Sequence, residues 1–365
     1  MPTATTHTMR AAVLVDEGDP DTALLVRDEP LPEPGVGEVR VRVRVAALNH
    51  LDVWIRKGLP SVPKPRVTGA DGMGIVDELG PGAAAVLERR GIAVGDRVVV
   101  DPGASCGACR ACASGETSLC PSFRVLGEHV AGTLAEAVVV PATAVHAAPE
   151  HLDDASAAAL MLTFGTAWRM LFTRARVRAH ERVLVWGASS GVGTAALQLC
   201  RAAGIETIAT TRAADKVEAL RELGADHVVV TGEGDAFGDP VLALVDELTG
   251  GHGVEVAFDH LGKVAWEPST LALARGGRYV TCGASTGPMP RAFITRIFWK
   301  QLSMLGSTMA SRSDVEDLLA FVRRHRIVPR VDSSFALEDI ADAHRHLESA
   351  AQVGKVVVQV APAGD

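Results

Sequence analysis

The sequence predicts an α/β protein with a strand-rich domain and a second domain built on a doubly wound parallel sheet. Its 365 residues exceed the size at which one hydrophobic core usually stops growing, so two domains are expected. Short apolar runs separated by glycine and proline fill the first half, whereas strands alternate with helices after about residue 155. That alternation is typical of a parallel sheet covered by helices on both faces.

The strand-rich half begins with a period-2 pattern. From Val39 to Val45 every second residue is valine and the residues between are arginine, which predicts a half-exposed strand. Further strands are predicted over 97–100 and 136–140. No long helical pattern interrupts this region.

The alternating half predicts a series of strand and helix pairs. Strands are predicted over 182–186, 206–210, 254–258, 278–282 and 301–305, and helices over 192–203, 215–223 and about 263–274. The tail, with a helix over 315–324 and a strand over 355–360, is expected to return to the first domain.

Composition narrows the classes of partner. The formal net charge is -8 and no long basic run occurs, so we expect no nucleic-acid partner. No apolar stretch reaches the roughly 18 residues of a membrane span, and residues 1–10 are polar without the apolar segment of an export signal. We therefore expect no membrane partner, a small-molecule substrate and a cytoplasmic location.

Four cysteines form a C-x2-C-x2-C-x7-C pattern at Cys106, Cys109, Cys112 and Cys120. Four thiolates at this spacing can surround one tetrahedral Zn²⁺, and a filled coordination shell makes such a site structural rather than catalytic. The alternative is disulfide bonding. The absence of a secretory segment and the closeness of three of the thiols argue against it.

A glycine-rich turn joins a buried strand to a helix over 183–193. Small residues let backbone N–H groups at the helix start approach a pyrophosphate, and the helix dipole adds favourable charge. The alternative is a turn that serves packing only. The predicted cofactor-binding residues of the turn are Ala188, Ser189, Ser190, Gly191, Val192 and Gly193.

The strand after the turn indicates the cofactor. An NAD-selective fold usually ends this strand with a carboxylate for the ribose hydroxyls, but here the strand ends in Thr210, Thr211 and Arg212. These side chains can donate hydrogen bonds to a 2′-phosphate, with Lys216 one helical turn further on, so NADP(H) is favoured over NAD(H). The alternative is that Arg212 is a solvated surface residue.

Several motifs agree in order with one known family. The chain resembles the zinc-binding alcohol dehydrogenases and quinone oxidoreductases of the medium-chain dehydrogenase/reductase superfamily over nearly its whole length. The matching segments are 49–52, 69–74, the cysteine pattern, 163–168, 183–193 and 306–311.

The resemblance implies a domain organisation. It predicts a GroES-like catalytic domain over 1–159, with a structural zinc lobe at about 101–122, a Rossmann domain over 160–308, and a return to the catalytic domain over 309–365. It also implies an active-site cleft between the domains and a homodimer, possibly a tetramer, formed through the Rossmann sheet. We further assign Cys282, Gly283 and Lys355 to cofactor binding.

The chain departs from the family at the catalytic metal. Zinc alcohol dehydrogenases use a cysteine in C-H-x-D, a histidine in G-H-E-x-x-G and a third ligand at the start of a later helix. The matching residues here are Asn49, Ala70 and Leu162, none of which offers a thiolate or imidazole. His50 and Asp71 alone would hold zinc poorly, so we expect one structural zinc and no catalytic zinc.

Polar residues near the expected site suggest how a reaction proceeds without that metal. Asn49 is the predicted donor to a substrate oxygen, and His50 or His129 can supply a proton because their ordinary pKa is ~6.5. Asp52 is included as a catalytic candidate, more often orienting a histidine than donating. The resemblance places Thr166 near the nicotinamide ribose. For each histidine the alternative is a structural hydrogen bond or a contact with the ribose.

These residues predict an NADP(H)-dependent oxidoreductase that transfers hydride between nicotinamide and an activated C=C bond, as in an enone or quinone, or a carbonyl/alcohol pair. The only tyrosine, Tyr279, lies in a predicted Rossmann strand, so a tyrosine acid is not expected. The alternative function is a zinc-containing cofactor-binding protein without activity, with a sensor or structural role.

Overall fold

The computed structural model of the chain describes residues 7–361, so the first six residues of the polar N-terminal segment lie outside the described range. The strands in this range, labelled in chain order, are β1 (Thr8–Leu14), β2 (Leu24–Pro30), β3 (Glu38–Ala47), β4 (Arg66–Val67), β5 (Asp71–Leu79), β6 (Arg97–Val100), β7 (Gly103–Ala104), β8 (Arg124–Val125), β9 (Ala137–Pro141), β10 (Val145–Ala147), β11 (Arg182–Val185), β12 (Glu206–Thr211), β13 (His227–Val230), β14 (Val254–Asp259), β15 (Leu273–Thr281), β16 (Ser303–Gly306), β17 (Val331–Ala336) and β18 (Lys355–Gln359).

The α-helices in the same range are α1 (Pro20–Ala23), α2 (His50–Arg56), α3 (Ala84–Glu88), α4 (Arg110–Ala113), α5 (Asp154–Ala158), α6 (Met161–Trp168), α7 (Gly191–Ala203), α8 (Val217–Glu222), α9 (Asp239–Thr249), α10 (Lys263–Ala272), α11 (Ile294–Lys300), α12 (Arg312–His325) and α13 (Ile340–Glu348). A π-helical segment, Arg169–Arg174, follows α6. Among the described helices, none combines the length and the apolar character needed to cross a bilayer.

The chain divides into two compact units. Of the described residues, the first unit comprises those up to Leu162 and those from Ser311 onward, and the second comprises residues 163–310. The boundaries predicted from sequence, 159/160 and 308/309, lie within three residues of this division. The first unit is thus made from two separated parts of the chain.

The first unit is built on a largely antiparallel sheet in the order β10-β6-β5-β3-β18-β17, with β9 also paired to β3. The valines of β3 from Val39 to Val45 are all buried, as their alternation predicts. β3 pairs antiparallel with both β5 and β18. The end of β3 therefore lies beside the starts of β5 and β18, which brings Asn49, Asp71 and Lys355 to one edge of the sheet.

The second unit contains a six-stranded parallel sheet in the order β13-β12-β11-β14-β15-β16. The strand order reverses between β11 and β14. From β11 the chain first adds β12 and β13 on one side, and it then adds β14, β15 and β16 on the other side. In such sheets ligands bind at the carboxyl ends of the strands next to this switch point. The glycine-rich turn follows β11, and His260 follows β14.

Two helices have boundaries that differ from the predicted ones. The helix predicted over 263–274 ends at Ala272, and β15 begins at Leu273 rather than at 278. The helix predicted over 215–223 starts with a 3-10 turn, Ala214–Lys216, before α8. The pattern did not predict strands β1, β2, β4, β5, β7, β8, β10, β13 and β17 or helices α1–α5, α9, α11 and α13. Burial in β13 and β17 is only partial, which explains their weak signal.

Candidate functional site

The four cysteines of the zinc-type pattern converge in a lobe between β7 and β8. Their sulfur atoms all lie within 4.8 Å of one another, with 3.5 Å between the Sγ atoms of Cys109 and Cys112 and 3.9 Å between those of Cys106 and Cys112. A tetrahedral zinc with Zn–S bonds of about 2.3 Å places sulfurs about 3.8 Å apart. A disulfide needs about 2.05 Å. The donor set fits zinc, and all four thiols are free.

Backbone donors support this cysteine lobe. The N–H of Cys106 donates to Cys120 Sγ at 3.4 Å, and the N–H of Cys109 donates to Cys106 Sγ at 3.3 Å. Such bonds favour the thiolate form that binds metal. Over residues 7–361, no other group of three or more histidine, cysteine or acidic side chains is arranged to hold a metal ion.

A second polar cluster lies at the edge of the first unit's sheet. Lys355 Nζ donates to Asn49 Oδ1 at 2.6 Å and to Asp71 Oδ2 at 2.9 Å. Asn49 Nδ2 donates to the same Asp71 oxygen at 3.0 Å. The three side chains are 3 %, 6 % and 0 % exposed for Lys355, Asn49 and Asp71. We call these three residues the lysine cluster.

One member of the lysine cluster is at a position that the resemblance matches to a catalytic zinc ligand, since Asn49 corresponds to the cysteine of C-H-x-D. Asp71 directly follows Ala70, which the resemblance matches to the histidine. The backbone N–H of Leu162, the third matching position, donates to Asp71 Oδ1 at 2.7 Å. Lys355, which the sequence predicts to bind the cofactor, has an ammonium group that hydrogen-bonds Asn49 and Asp71 in the structure.

Asp52 connects the start of α2 to a neighbouring loop. Its Oδ2 accepts from the N–H of Asn49 at 2.8 Å, and its Oδ1 accepts from the N–H of Gly69 at 2.9 Å. Burial raises the pKa of Asp52 to about 6, while these hydrogen bonds and the charge of Lys355 oppose the rise. Both carboxylate oxygens are thus engaged in fixing the backbone around the lysine cluster.

The two histidine candidates differ in exposure. His50 is the first residue of α2, is half-buried, and has its ring centroid 6.3 Å from that of Trp54. His129 is exposed and accepts a hydrogen bond on Nδ1 from the N–H of Val125 at 3.1 Å. When neutral, His129 therefore carries its proton on Nε2, which lies 3.8 Å from Glu128 Oε1.

The glycine-rich turn in the second unit has the tight geometry that its sequence predicts. Gly187 has φ +59°, and a Cβ at Gly193 would lie 2.6 Å from the carbonyl oxygen of Gly187, so both positions require glycine. Ser190 caps α7, with its Oγ accepting from the N–H of Gly193 at 3.0 Å. Ala188, Ser189, Gly191 and Val192 complete the turn and the first residues of α7.

His260 contacts the glycine-rich turn and was missed by the sequence analysis. Its Nε2 lies 2.9 Å from Ser190 Oγ and 3.3 Å from the carbonyl oxygen of Gly187. Burial lowers the pKa of His260, so the imidazole is neutral. One sequence signal could have found His260, because it directly follows the strand β14. β11 and β14 are parallel neighbours, so the residues that follow them lie at the same edge of the sheet.

The residues predicted to select the cofactor follow β12 or lie near its end. Thr210 is buried and its Oγ1 accepts from the N–H of Gly187 at 3.0 Å. Thr211 is also buried, with its Oγ1 accepting from the N–H of Ala213 at 3.2 Å. Arg212 is exposed and Lys216 is buried. Arg212 is therefore the most accessible of the predicted phosphate donors.

The remaining predicted cofactor residues lie in two places of the second unit. Thr166 is buried in α6. Cys282 and Gly283 follow β15, where the N–H of Cys282 donates to the carbonyl oxygen of Asp259 at 3.3 Å. A Cβ at Gly283 would lie 3.1 Å from the carbonyl oxygen of His260. The loops after β14 and β15 are thus packed together at the same sheet edge as the glycine-rich turn.

Comparisons with known proteins identify the family. Residues 35–150 match the alcohol dehydrogenase GroES-like domain, and residues 191–324 match the zinc-binding dehydrogenase domain. An alcohol dehydrogenase of Geobacillus stearothermophilus is 30 % identical over 356 residues, which cover 96 % of this chain and 99 % of that protein.

Solved structures give the same result. A structure described as an NAD-dependent alcohol dehydrogenase is 45 % identical with a TM-score of 0.89, covering 97 % of this chain and 100 % of the other. A 2-octenoyl-CoA carboxylase reductase, solved with NADP and 2-octenoyl-CoA, is 29 % identical with a TM-score of 0.89. The match covers 98 % of this chain and 89 % of the other. The chain has the GroES-like and Rossmann folds of these proteins and belongs to the zinc-type medium-chain dehydrogenase/reductase superfamily of oxidoreductases.

Proposed function

We propose that this oxidoreductase transfers hydride between NADP(H) and an activated C=C bond or a carbonyl group without a catalytic zinc. The observation that carries the proposal is the lysine cluster. Its ammonium, amide and carboxylate hydrogen-bond to one another, and the resemblance matches one of the three residues, Asn49, to a cysteine ligand of the catalytic zinc. An ion pair of this kind leaves no donor set for a second zinc.

The absence of zinc ligands at this position favours an activated C=C bond over a simple carbonyl. Reduction of a carbonyl concentrates negative charge on one oxygen, which a metal or strong donors must stabilise. Hydride addition to the β-carbon of an enone spreads the charge into an enolate, and one or two hydrogen-bond donors suffice. The names of the relatives span both classes, an alcohol dehydrogenase and an enoyl-CoA carboxylase reductase.

When bound, the nicotinamide supplies or accepts the hydride, and the chain's own residues handle charge and proton. Asn49 is the proposed donor to the substrate oxygen. One of its amide hydrogens is donated to Asp71, and the other is donated to the carbonyl oxygen of Ala47 in a long hydrogen bond of 3.4 Å. That second, longer bond is the one that a developing enolate would replace. The proton then comes from His50, His129 or solvent.

The cofactor preference for NADP(H) rests on the residues at the end of β12. Arg212 is exposed, and Thr210 retains a hydroxyl hydrogen that can donate to a 2′-phosphate, whereas the Thr211 hydroxyl donates to the carbonyl oxygen of Ala213 at 3.3 Å. No carboxylate stands at this strand end to repel that phosphate. Among the relatives, one is described as NAD-dependent and another was solved with NADP. A direct comparison of the two cofactors therefore tests this part.

Three further features belong to the same proposal. The cysteine lobe holds one structural Zn²⁺, which stabilises the lobe between β7 and β8 and takes no part in hydride transfer. The six free cysteines suit a reducing, cytoplasmic compartment. A homodimer is the proposed assembly, and the elution mass of the purified protein tests it.

The decisive experiment is a substrate panel with purified protein. NADPH consumption is followed with enones, quinones and aldehydes, and NADP⁺ reduction is followed with primary alcohols. We expect turnover with at least one enone or quinone. The kcat/KM for that substrate should be higher than the kcat/KM for the saturated aldehydes of the panel. Cofactor binding without turnover on any member of the panel would support the non-enzymatic alternative instead.

A further inference from the structure

We infer that Asp259 is a positioning residue for the nicotinamide cofactor, with Tyr279 as its partner, and that it acts by holding His260 against the glycine-rich turn. This role rests on the proposed function, because it gives both residues a part in binding the same cofactor. Asp259 is 0 % exposed and Tyr279 is 2 % exposed. Neither side chain is open to a ligand, so each acts through a neighbour.

The Asp259 carboxylate fixes the backbone of the loop after β14. Its Oδ1 accepts from the N–H of Leu261 at 2.8 Å, and its Oδ2 accepts from the N–H of Gly262 at 3.0 Å. These bonds hold the two residues that follow His260. Gly262 has φ +83°, and a Cβ there would lie 2.8 Å from the carbonyl oxygen of Gly287, so the loop has little room for another path.

Tyr279 supplies a third hydrogen bond to this carboxylate. It lies on the neighbouring strand β15, and its hydroxyl donates to Asp259 Oδ2 at 2.5 Å. Burial and the charge of Asp259 raise the pKa of Tyr279, so the hydroxyl keeps the proton that it donates. A buried carboxylate is costly unless its oxygens are hydrogen-bonded. Tyr279 thus favours the ionised form of Asp259, which accepts most strongly from the loop.

The other attachments of the loop are weaker. Ser285 Oγ donates to the carbonyl oxygen of His260 at 3.2 Å, and Thr286 Oγ1 donates to the carbonyl oxygen of Leu261 at 2.6 Å. Ser285 and Thr286 are exposed, so water competes for these bonds, whereas Asp259 is fully buried. Asp259 is therefore the main attachment of the loop.

His260 transmits the position of the loop to the glycine-rich turn. Its Nε2 lies 2.9 Å from Ser190 Oγ and 3.3 Å from the carbonyl oxygen of Gly187. The ring is closely packed, since a Cβ at Gly187 would lie 2.9 Å from the same Nε2. A displacement of about 1 Å would break hydrogen bonds of this length. The contact with Ser190, at the start of α7 where a pyrophosphate is expected to bind, thus depends on a fixed loop.

A purely structural role for Asp259 and Tyr279 makes a different prediction. Loss of a structural hydrogen bond lowers the melting temperature and leaves the Kd for the cofactor unchanged. The positioning role predicts a higher Kd for NADPH and for NADH by the same factor, because the turn contacts the part that both cofactors share. The effect cannot exceed that of removing His260, through which Asp259 acts.

The test measures the Kd for both cofactors by calorimetric titration, together with the melting temperature, for Asp259→Asn and Tyr279→Phe. Asp259→Asn should raise both Kd values by about tenfold, the equivalent of one lost hydrogen bond, and Tyr279→Phe by about threefold. Ser269→Ala is the matched control. Ser269 is buried in the same unit, and its hydroxyl donates to the carbonyl oxygen of Ala265, so this variant should change only the melting temperature.

The same substitutions in a His260→Ala background separate positioning from stability. There Asp259→Asn and Tyr279→Phe should lower the melting temperature as before but leave both Kd values unchanged. Tyr279→Phe keeps the ring and decides the question if Asp259→Asn fails to fold.

Two results would overturn the positioning role while the proposed function stands. One is an unchanged Kd in folded Tyr279→Phe, and the other is an equal loss of affinity with and without His260. Failure of the proposed function is distinguishable, because then wild type itself binds neither cofactor, which would overturn both.

Discussion

His260 Nε2 lies 2.9 Å from Ser190 Oγ, the same oxygen that caps α7 by accepting from the N–H of Gly193. The neutral imidazole can donate to Ser190 or to the carbonyl oxygen of Gly187. When it donates to Ser190, both lone pairs of the hydroxyl are used and its hydrogen is free for a cofactor phosphate. His260 therefore links the loop after β14 to the glycine-rich turn.

This link predicts that His260→Ala weakens the binding of NADPH and NADH alike, by about tenfold, the equivalent of one hydrogen bond of ~1.4 kcal/mol. Quenching of protein fluorescence on titration with each cofactor measures the effect. His252→Ala is the control, because His252 is exposed in the same unit. In a Ser190→Gly background the His260 substitution should have little further effect, and full additivity would contradict the link.

Arg212 is the residue proposed to distinguish NADPH from NADH. Arg212→Ala removes the exposed guanidinium proposed to bind the 2′-phosphate, so the KM for NADPH should rise about tenfold or more. The KM for NADH, which lacks that phosphate, should stay nearly constant. Arg221→Ala is a suitable control because Arg221 is an exposed arginine of α8 that pairs with Glu218. An equal response of both cofactors would make Arg212 a surface residue.

Local motifs in the sequence predicted their own geometry well. The cysteine lobe lies within fifteen residues, and the glycine-rich turn within eleven, so spacing alone fixes which groups meet. The alternating valines of β3 likewise predicted their buried face.

Contacts made by strand pairing were not predictable in the same way. Lys355 meets Asn49 only because β18 lies beside β3, and His260 meets Ser190 only because β14 lies beside β11. These pairs are separated by 306 and 70 residues. The sequence placed Lys355 at a strand start but carried no local signal for the partner of its ammonium.

Substitution of a cysteine in the cysteine lobe should impair folding rather than catalysis. Cys109→Ser removes one of four thiolates, and metal binding at such sites contributes ~10 kcal/mol or more to the folded state. We expect less soluble protein, a lower melting temperature and less than one zinc per chain, with kcat per folded molecule within a few-fold of wild type. Cys200→Ser, at a buried cysteine outside the lobe, should keep full zinc content.

His344 predicts how stability changes with pH. It is fully buried beside Arg56, and burial followed by the Arg56 charge lowers its pKa from 6.5 to about 3. The unfolded chain binds this proton below about pH 6.5 while the folded chain does not, so the stabilisation is complete above pH 6.5 and is lost as pH falls toward 3.

Between pH 7 and pH 5 this histidine should therefore lower the free energy of unfolding by about 2 kcal/mol. Urea unfolding of wild type and His344→Gln at both pH values measures it, and the variant should lose that part of the pH dependence. His146, whose pKa is also lowered to about 3, remains in the variant and keeps a second contribution. Identical pH dependence of the two proteins would show that His344 titrates normally.

Hydride transfer without a catalytic metal is tested most directly by measuring zinc content and turnover on the same preparation, before and after treatment with a chelator. We expect one zinc per chain, held by the four cysteines, and NADPH-dependent turnover that is unchanged by a chelator that leaves this zinc in place. A second zinc per chain whose removal abolishes turnover, while the first zinc remains bound, would contradict metal-free catalysis at the lysine cluster.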